Sequence, residues 1–457
     1  MNQASKWKVS QIDRDRFARA TKTQLEEKEI LTPNFSPLIQ TPKELDIYLS
    51  RMLSQEGNQH LGTFVMRIFD ANKILLPLID FKTQSQRGID EERKPVPSLY
   101  KDFFEKTIPL IEPATEYLDF EFHFEKFVKL AEKIRFPQQV MAHLRLKERR
   151  KKNCSSTDYK KWKEPAHRQF WYSLDRERRR LNDLITDYFD LEAKFETKTL
   201  IPPVPFADNE GLLDIAIRVN NMGKALAVDR GECATYFLLS KSTLRNSKML
   251  EKIVEYMNHD QATLTLLKFK NLTLWDQGVY NEREAFRDLM EAIAEIKKNK
   301  PERLFMLLEG SLQCFPSASY GFDLVSSSLR LLDIDSAYGE NAGYGGYFYE
   351  DRLCNVKYVD IPEIMSNNNG SLPCPCSVCR SITYDSVKKE LLYDGEKITL
   401  EEWNDRRREH NLSAMNDLME MISRAIKEKQ IELVRQRIKD SEISNLQKLI
   451  PQHYESD

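Results

Sequence analysis

Three cysteines fall within six residues, at Cys374, Cys376 and Cys379, and His410 follows after a gap of thirty residues. Thiolate sulfurs and an imidazole nitrogen are donors that Zn²⁺ prefers, and four of them complete a tetrahedral shell. A closed shell leaves no position for a metal-bound water, so the spacing predicts a structural Zn²⁺ and not a hydrolytic one. The alternative is a Pro-rich turn with incidental thiols and an unrelated histidine. Against it, the chain has only seven cysteines, and three of them crowd here.

A second feature is electrostatic. Between Arg145 and Arg180 lie Lys147, Arg149, Arg150, Lys151, Lys152, Lys160, Lys161, Lys163, Arg168, Arg176, Arg178 and Arg179, against few acids. Trp162, His167, Phe170, Trp171 and Tyr172 are interleaved with them. Phosphate neutralisation combined with aromatic stacking makes a nucleic-acid surface, with Arg149, Arg150, Lys151 and Lys152 as its expected contacts. A solvated helix face has a similar composition, and that reading stays open.

The metal motif also carries a family resemblance. Cys-x-Cys-x₂-Cys, the gap, and then His410-Asn411-Leu412 opening an amphipathic helix (Met415, Leu418, Met419, Ile422, Ile426) resemble the zinc subdomain of the tRNA-guanine transglycosylases. Upstream, Leu331-Leu332-Asp333-Ile334-Asp335-Ser336-Ala337-Tyr338 resembles that family's eighth strand with its nucleophilic aspartate. Gly346-Tyr347-Phe348-Tyr349 with Cys354-Asn355-Val356 resembles the hairpin that follows. The resemblance covers roughly residues 300–430, under a third of the chain. It implies an α/β fold, a (β/α)₈ TIM-like barrel with a C-terminal zinc-binding subdomain and a helical tail.

The chemistry it implies is exchange of guanine in a polynucleotide, DNA or tRNA, for a 7-deazaguanine base. Asp335 would attack C1′ and form a covalent sugar ester, as the nucleophile of a retaining glycosidase does. Asp333 is the rival for that role, since alternation along a strand points both to one side. The family's second carboxylate sits in an Asp-Ser-Gly-Gly-Phe motif that this chain lacks. Asp80, after Leu75-Leu76-Pro77-Leu78-Ile79, is the positional substitute, or else a structural aspartate.

Phe206-Ala207-Asp208-Asn209-Glu210 faintly resembles the base-recognising segment, where Asp208 would accept from a guanine-like edge. Asp208 as a helix N-cap is the competing reading. Gly310, after Leu304 to Glu309, falls where the family brings the base against the backbone. The run Gly339 to Tyr347 lacks a phosphate-loop pattern and reads as a loop offering Tyr338, Tyr344 and Tyr347 for stacking, or as an ordinary turn. It also lacks the Pro-Thr-Arg of bacterial tRNA enzymes, a departure that favours the branch acting on DNA. The rival function is a zinc-stabilised nucleic-acid-binding or interaction protein without catalysis.

These residues need a scaffold. The chain has 457 residues, 41% hydrophobic and 31% charged, enough for one large domain with appendages. A net charge of −2 creates no global field for nucleic acid, so such binding must be local. No apolar run approaches a membrane span and the first residues lack a secretory signal, so a cytoplasmic location is expected, with no membrane partner.

Short apolar runs at 64–69, 73–80, 108–111, 140–144, 199–206, 225–228, 235–239, 263–269, 304–308 and 331–334 read as buried strands. Helical patterns lie between them at 124–134, 167–195, 212–219, 249–257 and 282–296, an alternation that argues a parallel sheet. The expected organisation is a polar arm and helix over 1–60, a barrel over 61–350 with a basic helical insertion at about 145–195, and the zinc subdomain over 351–426. A charged helix over 427–457 would be solvated and able to meet a protein partner or a second copy.

Overall fold

Eight short strands, most of them largely apolar, line up in parallel as the backbone of the fold: β4 (Asn34–Leu38), β5 (Thr63–Arg67), β6 (Ile108–Glu112), β8 (Phe206–Ala207), β10 (Thr235–Ser240), β11 (Leu264–Lys270), β12 (Leu304–Leu308) and β13 (Leu324–Ser328). The computed structural model describes residues 7–14, 18–25, 28–54, 59–86, 107–115, 128–129, 131–132, 134–270, 280–310, 314–329, 347–349, 354–356, 361–374 and 376–440. Neighbours run β6-β5-β4-β13-β12-β11-β10-β8, so β4 and β13, far apart in sequence, pair at the centre. A separate short pair joins β7 (Thr199–Leu200) to β9 (Glu232–Cys233) in parallel.

The sheet is a half-barrel and not the closed (β/α)₈ barrel expected from the resemblance, because its ladder ends at β6 and β8. The seam has a local cause. β8 is two residues long and follows Pro202, Pro203 and Pro205, while β6 contains Pro109, and proline supplies no N–H to a ladder. The sheet nevertheless curls: Glu112, at the end of β6, lies 2.7 Å from both the Tyr236 hydroxyl on β10 and Lys268 Nζ on β11.

Several apolar runs are helical instead of extended. Residues 73–80 lie inside the helix Ile68–Gln86, 140–144 inside Gln138–Asn153, and 225–226 end Glu210–Leu226. A run of five to eight apolar residues suits a buried strand or the packed face of a helix equally, and packing decides. The pattern at 167–195 divides into Ser156–Arg176 and Arg178–Ala193. The expected strand at 331–334 lies outside the described residues. β13 ends before it, and three consecutive buried serines had hidden β13 in the sequence.

The N-terminal arm is also more structured than its polarity suggests. β1 (Trp7–Arg14), β2 (Arg19–Leu25) and β3 (Lys28–Thr32) form an antiparallel sheet, and β4 belongs to the main one. At the amino ends of the main strands, Asp323 accepts from Arg19 and from Lys297 at 2.8 and 2.9 Å. Burial alone would raise the Asp323 carboxyl, but these two cations hold it below the usual range.

After β13 come the hairpin β14 (Tyr347–Tyr349) and β15 (Cys354–Val356), the helix Ile361–Asn367, the short helix Ser377–Arg380, and the meander β16 (Ile382–Asp385), β17 (Glu390–Tyr393) and β18 (Glu396–Lys397). The long helix Leu400–Lys427 serves two cores. Its Trp403 packs with Tyr347, Ile361, Leu372 and Ile382, while Leu412, Met415, Leu418 and Ile422 join the main core. The following helix, Ile431–Asp440, is not merely solvated: buried Arg435 donates to the Ser319 carbonyl at 2.9 Å and covers the Tyr320 ring. Residues beyond 440 lie outside the described ones.

Candidate metal centre and strand-end charge cluster

Cys374, Cys376, Cys379 and His410 converge, their donor atoms all within 4.8 Å of one another. Sγ of the three cysteines lies 3.6, 3.4 and 3.2 Å from His410 Nδ1. Tetrahedral Zn²⁺ with bonds of about 2.3 Å to sulfur and 2.0–2.1 Å to nitrogen would hold such atoms about 3.6 Å apart, so the set fits a metal ion.

Local folding prepares these donors. The amides of Cys376 and Cys379 point at Cys374 Sγ (3.5 Å) and Cys376 Sγ (3.4 Å) and so orient both sulfurs. The Tyr347 hydroxyl lies 3.3 Å from Cys379 Sγ. His410 Nε2 is 2.7 Å from the Phe348 carbonyl. A proton on Nε2 donates there and leaves Nδ1 free to face the sulfurs, the usual outer contact of a ligating histidine.

The next residue ties this centre to the sheet. Asn411 Oδ1 accepts from the Phe348 amide at 3.0 Å, and its Nδ2 donates to the Leu329 carbonyl, directly beyond β13, at 2.9 Å. The helix that carries His410 therefore grips the chain at Leu329 and again at Phe348. Asp333, Asp335 and residues 339–346 of the glycine-rich run lie between those points, outside the described residues, while Tyr347, expected to offer its ring for stacking on bases, is buried against His410 instead.

Parallel α/β folds collect their sites at the carboxyl ends of strands. There the structure brings together four charges that sequence reasoning missed: Arg67 ends β5, Glu112 ends β6, Lys268 lies on β11 and Glu309 follows β12. Arg67 Nη2 is 2.9 Å from both Glu309 oxygens, and Lys268 Nζ reaches Glu309 at 2.6 Å and Glu112 at 2.7 Å. Burial would raise the Glu309 carboxyl, but Arg67 and Lys268 hold it down to about 2. The signal was present in the sequence, since each charge closes or interrupts an apolar run, as in Val65-Met66-Arg67 and Leu110-Ile111-Glu112.

The other expected residues are placed as follows. Asp80 is in the helix Ile68–Gln86 and not at a strand end; its side chain lies outside the described ones. Asp208 follows β8, where its carboxylate accepts from Arg168 at 2.9 Å and Asn209 at 2.6 Å. The N-cap of the next helix is Asn209, whose side chain accepts from the Leu212 amide. Gly310 follows Glu309, itself at φ +54°, and donates to the Ser326 carbonyl at 2.7 Å. A Cβ on Gly310 would come within 2.6 Å of Leu307 Cδ2, so a larger residue there requires the Leu307 side chain to shift.

Arg149, Arg150, Lys151 and Lys152 are exposed at the carboxyl end of the helix Gln138–Asn153, the last three in its final turn. Arg150 lies over the half-buried Trp162 ring at 6.0 Å. His167 and Trp171 are buried and Phe170 stacks on His143, so among the interleaved aromatics Trp162 and Tyr172 remain accessible. Among the described residues no helix is long and apolar enough to cross a membrane. Compared with known proteins, the chain matches no family model and no curated protein.

Proposed function

We propose that the chain is a divergent guanine transglycosylase of the tRNA-guanine transglycosylase type, exchanging guanine in DNA or tRNA for a 7-deazaguanine base. The observation that carries this reading is the Asn411 bridge, which links a Cys₃His cluster to the end of a parallel-sheet strand. That strand leads into the segment resembling the family's nucleophile. The ion in the cluster is read as Zn²⁺, with a structural task, because three thiolates and one imidazole are its preferred closed set. The half-barrel is read as a (β/α)₈ barrel with one open seam, its strands following chain order around the curve from β4 to β13.

In the proposed reaction the Asp335 carboxylate attacks C1′, and the C1′–N9 bond breaks with its electron pair passing to the departing guanine, which is protonated. N9 of the incoming base then displaces the carboxylate, and two inversions give retention. Asp208, paired with Arg168, and Gly310 would contact the base, and the exposed Arg149 to Lys152 turn would hold the phosphates. DNA is favoured over tRNA by the absent Pro-Thr-Arg.

Incubation with labelled guanine and either tRNA or duplex DNA tests this. Incorporation is expected with one of them, together with a covalent adduct that survives denaturing electrophoresis. Asp335→Asn should abolish both while leaving polynucleotide binding intact, with Asp333→Asn as the control for the rival carboxylate. Asp80, placed within a helix, leaves the second carboxylate unfilled from the sequence alone, and this observation favours the second reading, a binding protein without catalysis. Polynucleotide binding without exchange or adduct would establish it.

A further inference from the structure

Between β6 and β8, the two strands that border the open seam, the chain folds into the helices Gln138–Asn153, Ser156–Arg176 and Arg178–Ala193. The middle one packs beside Glu210–Leu226, the helix that descends from the carboxyl end of β8. Asp175 accepts from Arg218, about two turns down that helix, at 2.6 and 2.7 Å. Tyr172 donates to Asn209, its N-cap, at 3.2 Å, and Arg168 donates to Asp208, directly after β8, at 2.9 Å. From Asp175 to Arg168 these contacts climb to the strand ends, so the turns before Arg168 overhang the carboxyl rim of the sheet.

Trp162 lies on that overhang, about 9 Å along the helix from Arg168. Arg150 Cζ and the ring centre of buried Tyr159 are each 6.0 Å from the centre of its half-buried ring. Among the described residues the exposed Arg149, Arg150 and Lys161 meet no carboxylate, whereas Arg145 and Lys152 close by are paired with Glu132 and Glu148.

We infer that Trp162 and Arg150 form a clamp for one unpaired base of the polynucleotide. The indole offers a π-face, and 6.0 Å is the outer limit of a cation–π contact, so a small swing of the exposed Arg150 side chain admits a base between guanidinium and ring. Arg149 and Lys161, the chain neighbours of the two clamp residues, are left to neutralise flanking phosphates. A base inside a closed duplex has both faces covered, so the clamp selects an unpaired stretch. At a rise of about 3.4 Å per stacked nucleotide, the clamped base lies about three nucleotides from a base at the Arg168–Asp208 pair. The inference deepens the proposed function and rests on its polynucleotide substrate.

The test measures binding of a fluorescein-labelled single-stranded oligodeoxynucleotide, and of the same sequence as a closed duplex, to wild type, Trp162→Ala and Trp162→Phe. Loss of one base stack should weaken single-strand binding by Trp162→Ala about 5- to 100-fold, with Trp162→Phe recovering most of it. Neither the salt slope nor the duplex affinity should change, because no charge is removed; a misfolded variant would lose both. An oligonucleotide of abasic sugar-phosphate alone should bind wild type and Trp162→Ala alike. Equal affinity of Trp162→Ala and wild type for the single strand, or the same loss on the duplex or the abasic chain, would overturn the clamp. Base exchange reports separately. A wild type that binds through Trp162 yet exchanges no base on DNA or tRNA would end the proposed function and leave the clamp standing, whereas a wild type that binds no polynucleotide would end both.

Discussion

The Tyr347 ring lies flat on the His410 imidazole, with centroids 4.3 Å apart and planes within 10°. Stacking fixes the ring plane, the Phe348 carbonyl fixes the tautomer, and Nδ1 is left aimed at three sulfurs. Purified protein should therefore hold about one Zn²⁺ per chain, its binding energy being part of the folding energy of this small core. Cys376→Ser should lose metal and melt the small core at a lower temperature, read by metal analysis and calorimetry together. Full occupancy in a variant lacking two of the cysteines would refute the ligand set.

The basic turn makes a separate prediction. Reversing Arg149, Arg150, Lys151 and Lys152 to Glu should weaken polynucleotide binding and flatten its dependence on salt, by a slope of about 0.9 for each duplex-DNA phosphate no longer neutralised. These side chains are exposed, so the fold should survive the change. Identical affinity and slope in the variant would mean the turn is only a solvated helix face.

Glu309 predicts a response to acid. Its carboxyl is held down to about 2 in the folded chain, below an unfolded value of about 4.3. The stabilisation it contributes is thus present in full above about pH 4.3 and disappears as pH falls through the folded value. Glu309→Gln takes a carboxylate from two buried cations, Arg67 and Lys268, the second of which keeps Glu112, and should cost about 3–5 kcal/mol at pH 7. In denaturant titrations the gap between wild type and variant should narrow between pH 4 and 2. A gap independent of pH would mean the carboxylate's charge contributes nothing there.

Local chemistry made the metal centre legible in the sequence. Cys374, Cys376 and Cys379 are neighbours along the chain, and His410, expected to open a helix, lies within the longer helix Leu400–Lys427, whose apolar spacing shows which face it buries. Several strands were legible for the same reason, since the buried runs of β10, β11 and β12 need no distant partner to be recognised. Only the tertiary structure decided that 73–80 and 140–144 coil into helices, because a short apolar run is compatible with either form until something packs on it. It alone decided that the serine-rich β13 lies beside β4, and that prolines before β8 leave a seam. The charge cluster belongs to the same class. Arg67, Glu112, Lys268 and Glu309 are spread over more than two hundred residues and meet only because parallel strands on a curled sheet bring their carboxyl ends to one place, where burial turns ordinary charges into mutually dependent ones.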